Sequence, residues 1–407
     1  MAELISVYAA LEKISSTAQE PKTESMPLEL AFGRTLAQDV KAQLTQPPFK
    51  ASAMDGYAVR LEDAEDGREL KVIGEAPAGH SFEGKIEPGQ ALRIFTGGVI
   101  PKGADHIVIQ EDVIAKGDMI TINDTQTPPA HIRLAGIDFK VGEILFRNGT
   151  RLNAVHLSTI AAANISHVKV TKRPAIGIFA NGDELIKVGT DVQQGQIISS
   201  TPYAISALVQ SWGGEAKFYG IIPDNHSALE SVIQKAETCD VIVPLGGASV
   251  GDYDLVKTAF KRAGYASIFE KIAIKPGKPT WLSTKSAKGH ITRVLGLPGN
   301  PASGLVCAHL FLRPLIESLC ASQRTEPLWV NAHLTQALRK NGPREIYHRA
   351  KLVFLPDGRL SVTPMPRQDS SLLSPFAKAN AFIKQPPKDG PKQKGDIVEV
   401  YRLSQEF

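Results

Sequence analysis

Cysteine is scarce in this 407-residue sequence: Cys239, Cys307 and Cys320 are odd in number, far apart, and never in a Cys-x-x-Cys arrangement. That excludes a disulfide framework and a cysteine zinc site, and it points to a reducing compartment, the cytoplasm. A basic-then-apolar leader is also missing. The first residues instead carry Glu3 and Glu12 within a helical pattern of Leu4, Val7, Tyr8, Leu11 and Ile14, which predicts an amphipathic helix over residues 6–18 capped by Ser6. The most apolar stretch, Ala302 to Cys320, is interrupted by His309, Arg313, Pro314 and Glu317, so a packed core helix is expected and no membrane span. Lysine and arginine do not run together, and a net charge of +4 is mild; the balance disfavours nucleic acid and suits a small anionic ligand. There is no His-Glu-x-x-His, and the ten histidines are scattered, which leaves a zinc hydrolase without ligands.

What is present is an ordinary globular composition, 43% hydrophobic and 22% charged, in a chain long enough for roughly three domains. From residue 46 to 140 short alternating runs, such as Leu70 to Ile73 and Leu92 to Phe95, are separated by Gly, Pro and Asp turns, the pattern of a β-rich module. Residues 141–172 return to helix, with Asn153 as a cap, and match residues 1–45 in texture, so the β module is read as an insertion into a linking domain. The N-terminal helix is free to pack on the next domain. From 173 to 324 strand and helix alternate, which argues for a mostly parallel, doubly wound sheet; the expected strands include Ala175 to Ala180, Ala216 to Ile222, Val241 to Leu245, Ile268 to Ile274 and Val294 to Leu297. Short strands with turns at Pro356-Asp357-Gly358 and Lys388-Asp389-Gly390 make residues 325–407 a second β domain.

The α/β segment is organised around Asp240 to Asp254, a strand that breaks into Gly246, Gly247 and Gly251 before a helical pattern through Leu255, Val256 and Phe260. A glycine-rich turn at the carboxyl end of such a strand lets backbone N–H groups approach an anion. It lacks the Gly-Lys-Ser/Thr of a P-loop, and Asp252 and Asp254 would repel bare phosphate unless a divalent cation lies between them. A tight turn whose carboxylates cap the next helix fits the same residues. Three other polar phrases fall where strands should end: Asn181-Gly182-Asp183-Glu184, Pro223-Asp224-Asn225, and Gly296-Leu297-Pro298-Gly299-Asn300-Pro301. Ligands of open α/β sheets bind beyond the carboxyl ends of the strands, so the four turns are expected to line one crevice. Asn300 as a cap and Pro301 in the first helical position prepare a helix start suited to an oxyanion. Lys271, Lys275 and Lys278, stiffened by the intervening prolines and glycine, add cations, and the oxygen donors favour Mg²⁺. In Pro47 to Val59, Asp55-Gly56 reads locally as a turn in which the aspartate bonds its own backbone.

Taken together, Ser52 to Ala58, Arg133 to Asp138, the glycine loop, Lys-Pro-Gly-Lys-Pro and Gly-Leu-Pro-Gly-Asn-Pro resemble the molybdopterin molybdenumtransferase family, in order and over nearly the whole chain. The resemblance implies four domains: a linking domain split in sequence, an inserted β domain, a molybdopterin-binding α/β domain and a C-terminal β-barrel, assembled as a homodimer. It implies Mg²⁺-dependent conversion of adenylylated molybdopterin and molybdate to molybdenum cofactor and AMP, in exchange with a molybdopterin adenylyltransferase and molybdoenzyme maturation partners. By matched phrase, Asp55, Thr96, Arg133 and Asp138 would face the partner subunit's α/β domain. Glu184, Asp224, Asp254, Lys271, Lys275, Lys278, Pro298, Gly299, Asn300 and Pro301, with Gly246, Gly247, Ser249 and Gly251 of the loop, would bind the pterin nucleotide and molybdate. Glu184, Asp224 and Asp254 would hold the metal, and Arg349 with Ser371, or the adjacent Ser370, would come from the barrel. Departures are Ala180-Asn181 where the family has hydroxyl residues, Ser200-Thr201 for Ser-Asn, and Gly-Gly-Ala-Ser for Gly-Gly-Val-Ser. A molybdopterin adenylyltransferase, or a non-catalytic molybdopterin carrier, are the alternative readings.

Overall fold

The computed structural model describes residues 4–124, 131–246, 255–287, 289–322 and 328–403. Period-2 burial builds the inserted module. In the strand Gly56–Val59, Tyr57 and Val59 pack into one apolar cluster and Ala58 into another, so both faces of the sheet are covered. Its six strands run in the spatial order His106–Ile109, Gly56–Val59, Gln90–Ile94, Glu69–Ala76, Met119–Ile122, Val113–Lys116. The module leaves and re-enters a small linking unit in which Thr23–Pro27 pairs antiparallel with His167–Thr171, and Val40–Lys41 with Ile144–Phe146. Asn153 caps the helix Ala154–Ala162 of that unit, with His156 returning the bond to complete a capping box.

The central sheet is ordered Glu215–Ile222, Ala175–Asn181, Val241–Gly246, His290–Gly296, Trp281–Ala287, Ala266–Phe269, and only Trp281–Ala287 runs against its neighbours. Burial on both faces explains the continuous apolar runs of Ala175–Asn181 and Val241–Gly246. One face is covered by Thr201–Ser211 and the long helical rod beginning at Pro301, through Ile205, Val209, Val306 and Phe311. The other is covered by His226–Ala236 and Leu255–Arg262, through Leu229, Val232, Ala259 and Phe260. Each fully buried Val, Leu, Ile or Phe of these layers contributes about 1.5–3 kcal/mol relative to exposure.

The apolar rod is Pro301–Cys307, a π turn at Ala308–Leu312 and Arg313–Leu319. Its span Pro301–Leu319 is long and apolar enough to cross a membrane, but 83% of it is buried inside the protein, as a core helix should be. Ser6 Oγ accepts the Ala9 N–H at 3.1 Å to start the helix Val7–Ser15, whose Val7, Ala10 and Ile14 join the core of the α/β domain. Ile5 pairs alongside Ile272 to fix this docking.

One strand differs from expectation. Ile268 to Ile274 is not continuous: Ala266–Phe269 stays in the central sheet, whereas Ile274–Lys275 pairs in parallel with Glu345–Phe354 of the C-terminal domain. There, Glu345–Phe354, Leu360–Pro364, Trp329–Leu334, Ile397–Arg402 and Ala381–Gln385 pair in turn, and the last closes on the first, giving a five-stranded barrel. Its interior is filled by Leu334, Ala350, Leu352, Val362, Ile383 and Val400.

Candidate functional site

A cavity of about 610 Å³ opens at the carboxyl edge of the central sheet. It lies where the chain order reverses: Ala175–Asn181 is followed in sequence by a strand on one side of it and later by Val241–Gly246 on the other. Such a reversal leaves a crevice no crossover helix fills. Asn181 and Gly246, neighbours in adjacent strands, line it at the strand ends, Ala180 and Leu245 lie one residue deeper, and Pro298, Gly299, Asn300 and Pro301 form the adjoining wall. Glu184 and the apolar Leu185, Ile197 and Ile198 form another wall, and Ser199, Ser200 and Thr201 bring the start of Thr201–Ser211 to the rim. Ser371 and Leu373 of the barrel complete the lining.

The walls approach closely at Gly246. Its φ is +106°, and a Cβ there would lie 2.5 Å from the Asn181 carbonyl oxygen; a Cβ on Gly299 would lie 3.2 Å from the Gly246 Cα. Only glycine lets three strand ends converge this tightly. Asn181 is itself pinned, its amide donating to the Ile222 and Pro223 carbonyls at 3.0 and 3.5 Å. The Pro223-Asp224-Asn225 turn is therefore tied behind the crevice, and the Asp224 N–H donates to Asp183 Oδ1 at 2.9 Å. Burial, then the neighbouring Asp183, push the Asp224 carboxyl above its ordinary value, and Glu184 adds to the repulsion.

Asp55 does not bond its own backbone. Its Oδ1 accepts the Thr96 N–H at 2.7 Å and the Thr96 hydroxyl at 2.8 Å, which lowers the Asp55 pKa. Both are thus one unit across 41 residues, but neither lines the cavity, nor do Arg133 and Asp138. Lys271, Lys275 and Lys278 also stand off the lining, which that stretch reaches only at Pro279. Lys275 is exposed beside the barrel, where burial lowers the His348 pKa and the nearby Lys275 charge adds to that shift.

The barrel residues divide their work. Arg349 is only 2% exposed, and its guanidinium donates to the carbonyls of Arg367, Asp369 and Leu372 at 3.3, 2.9 and 3.1 Å. It shapes the loop instead of offering a free cation to the crevice. Ser370 latches that loop to the α/β domain: its carbonyl accepts the Ala302 N–H at 3.0 Å, and its hydroxyl lies 3.2 Å from the Asn300 amide nitrogen. Ser371 reaches the lining, with its hydroxyl donating to Asp369 Oδ1 at 2.6 Å. Asn300 therefore does not cap the rod with its side chain. Pro301 has no N–H, Ala302 donates to Ser370 and Gly304 to Asn300, so the barrel loop already occupies part of the anion seat expected at that helix start. Gly247, Ser249, Gly251, Asp252 and Asp254 lie outside the described residues.

Residues 5–164 match a family described as MoeA N-terminal region (domain I and II), 177–318 a probable molybdopterin binding domain, and 331–403 a MoeA C-terminal region (domain IV). Among curated proteins, a molybdopterin molybdenumtransferase from a Nostoc species is 39% identical over 348 residues, 84% of this chain and 79% of that one. The chain belongs to the molybdopterin molybdenumtransferase family. A second member, from Haemophilus influenzae, is 34% identical over 384 residues and 93% of each chain. A solved molybdopterin biosynthesis MoeA protein of Pyrococcus horikoshii superposes with a TM-score of 0.82 at 27% identity, over 98% of this chain and 100% of that one. The α/β architecture with its inserted β module and terminal barrel is thus the fold of the molybdenumtransferase family. Sequence reasoning under-weighted the apolar wall of Leu185, Ile197, Ile198 and Leu373, because isolated short apolar pairs carry no periodic signal.

Proposed function

We propose that the crevice takes adenylylated molybdopterin and molybdate and returns molybdenum cofactor and AMP, the phosphoanhydride of the adenylylated substrate being cleaved. The observation that carries this reading is the roughly 610 Å³ cavity at the chain-order reversal of a chain of this family. Its size is typical for an organic ligand. The apolar wall suits a planar ring system, and the strand-end amides and the start of Thr201–Ser211 suit phosphate. Lys275, Lys271 and Lys278 are the cations available to stabilise the negative charge that develops as the anhydride breaks, and to attract molybdate.

The chemistry of the donors near the crevice fits Mg²⁺. Asp183, Glu184 and Asp224 offer only hard oxygen, and Asp224, raised first by burial and then by the neighbouring Asp183 and Glu184, would have its charged form favoured by a cation. Mg²⁺ is assigned to Glu184 and Asp224 with substrate oxygens completing its shell; Asp254, the third expected ligand, lies outside the described residues. Mg²⁺ there would offset phosphate charge and polarise the anhydride.

Thr96, Arg133 and Asp138, with Asp55, are assigned to the partner's crevice in a homodimer. They do not line the cavity of their own chain, and their sequence neighbours Phe49, Met54, Leu134 and Ile137 are 40%, 41%, 56% and 65% exposed, apolar side chains that an interface would cover. Mixing purified protein with adenylylated molybdopterin, Mg²⁺ and molybdate should release AMP. Asp224→Ala or Lys275→Ala should abolish that release with the fold intact, and AMP release at the parental rate by both variants would refute the assignment.

A further inference from the structure

A second cavity, of about 330 Å³, lies at the opposite edge of the central sheet, where the linking domain enters the α/β domain. Lys22 and Lys172 line it from the linking side, and Arg173 at the domain junction, with Asp240, His290 and Arg293 at the central strands, lines it from the α/β side. Lys22 and Lys172 face each other at the end of the antiparallel pair Thr23–Pro27 and His167–Thr171, with the Lys172 N–H donating to the Lys22 carbonyl at 2.7 Å. Like charges in that position repel, and Arg173 follows directly. None of these three cations makes an ion pair among the described residues.

Behind them Arg293 is 1% exposed, and its guanidinium is spent on neutral oxygens, the Thr17 carbonyl and hydroxyl and the Ile291 carbonyl. The acids of the lining, Glu20 and Asp240, do not balance the four positive charges of Lys22, Lys172, Arg173 and Arg293, and Asp240 is already engaged by the Ala175 N–H at 2.8 Å and by His290 at 3.9 Å. Lys22, Lys172 and Arg173 are exposed to solvent, so an anion can reach them, and one that enters the pocket meets a net positive potential.

We propose that this pocket binds a compact multivalent oxyanion of the phosphate class, held by Lys22, Lys172 and Arg173 against the strand starts, and that the bound anion clamps the linking domain to the α/β domain. It is distinct from the crevice at the carboxyl edge, and the proposal does not rest on the reaction assigned there. Clamping follows from the geometry, since Lys22 and Lys172 belong to the linking domain and Arg173 and the strand starts to the α/β domain that the anion would join to it.

The test is calorimetric titration of the full chain with inorganic diphosphate at constant ionic strength and without Mg²⁺, with molybdate in a parallel arm. One saturable equivalent per chain is expected that survives in Lys275→Ala and weakens about tenfold or more in Lys172→Ala/Arg173→Ala, two exposed positions whose loss leaves the core untouched. Diphosphate should also raise the melting temperature of the parent but not of the double variant. Molybdate competing for the same equivalent would name it as one occupant; molybdate binding elsewhere would leave phosphate as the ligand. No saturable uptake, or uptake that the double variant leaves within twofold while Lys275→Ala removes it, would overturn the proposal.

Discussion

Gly246→Ala probes whether the crevice depends on backbone approach, and Gly220→Ala is its control. Both glycines adopt left-handed φ values, +106° and +98°, so an alanine at either pays a backbone cost of about 1–3 kcal/mol. They differ in what the new methyl meets. At Gly220 there is nothing within 4 Å, whereas at Gly246 the Asn181 carbonyl oxygen lies 2.5 Å away and is rigid backbone in the neighbouring strand. Prising those strands apart adds about 1–3 kcal/mol at Gly246 alone. For a domain of this size each kcal/mol moves the melting temperature about 2–4 °C, so Gly246→Ala should melt roughly 4–8 °C below Gly220→Ala for a mid-range steric cost of about 2 kcal/mol. A multidomain chain melts in steps, so the α/β step is followed through the fluorescence of Trp212 and Trp281, both buried in that domain. Substrate binding should fall in Gly246→Ala and persist in Gly220→Ala. Variants that melt within about 1 °C of each other would refute the argument that strand-end contact shapes the site.

Arg349→Ala should cost about 2–4 kcal/mol of barrel stability by orphaning the carbonyls of Arg367, Asp369 and Leu372, and Arg349→Lys should recover little of it, because one ammonium cannot fork to all three; limited proteolysis within 367–372 reads the loosening. Asp224 carries a raised pKa, so its charged form is penalised in the folded state. Its contribution therefore worsens as pH rises above the ordinary value of 3.8 and is fully unfavourable beyond the raised one. In chelator at neutral pH, Asp224→Asn should melt above the parent, with the advantage vanishing below about pH 3.8; an Asn variant that melts lower at neutral pH contradicts this. A shared dimer site predicts complementation: Asp55→Ala chains mixed and re-equilibrated with Lys275→Ala chains should regain about a quarter of parental AMP release, since half the dimers are mixed and each holds one intact site of two. Sites confined to one chain would regain none.

Much of this was legible because the sequence concentrates its punctuation at strand ends. Asn181 to Glu184, the residues before Gly246, and Pro298 to Pro301 do meet at one edge, where sheet topology requires loops to converge. What escaped was long-range. The Asp55–Thr96 pair joins two loops 41 residues apart, so a local reading could only assign Asp55 to its own turn. The departure of Ile274–Lys275 to the barrel depends on a barrel strand that begins at Glu345, and nothing within the run Ile268 to Ile274 encodes it. The occupation of the Ala302 N–H by Ser370 could not be read from a helix start that looks unpartnered in one dimension. Arg349 was expected at the crevice from the family resemblance, but a buried guanidinium surrounded by carbonyls is used up in holding its loop.

The docking of Val7–Ser15 into the α/β core also has a consequence during synthesis. Val7, Ala10 and Ile14 leave the ribosome before the rest of the α/β core they join, and their partners Leu315, Ile316 and Leu319 are among the last of that domain to follow. At ordinary elongation rates the helix waits roughly 15–60 s for the roughly 300 intervening residues. Meanwhile the linking and inserted β units can complete their own cores, so nascent chains should carry an unburied amphipathic helix, open to chaperone capture, until the α/β domain emerges and closes over it.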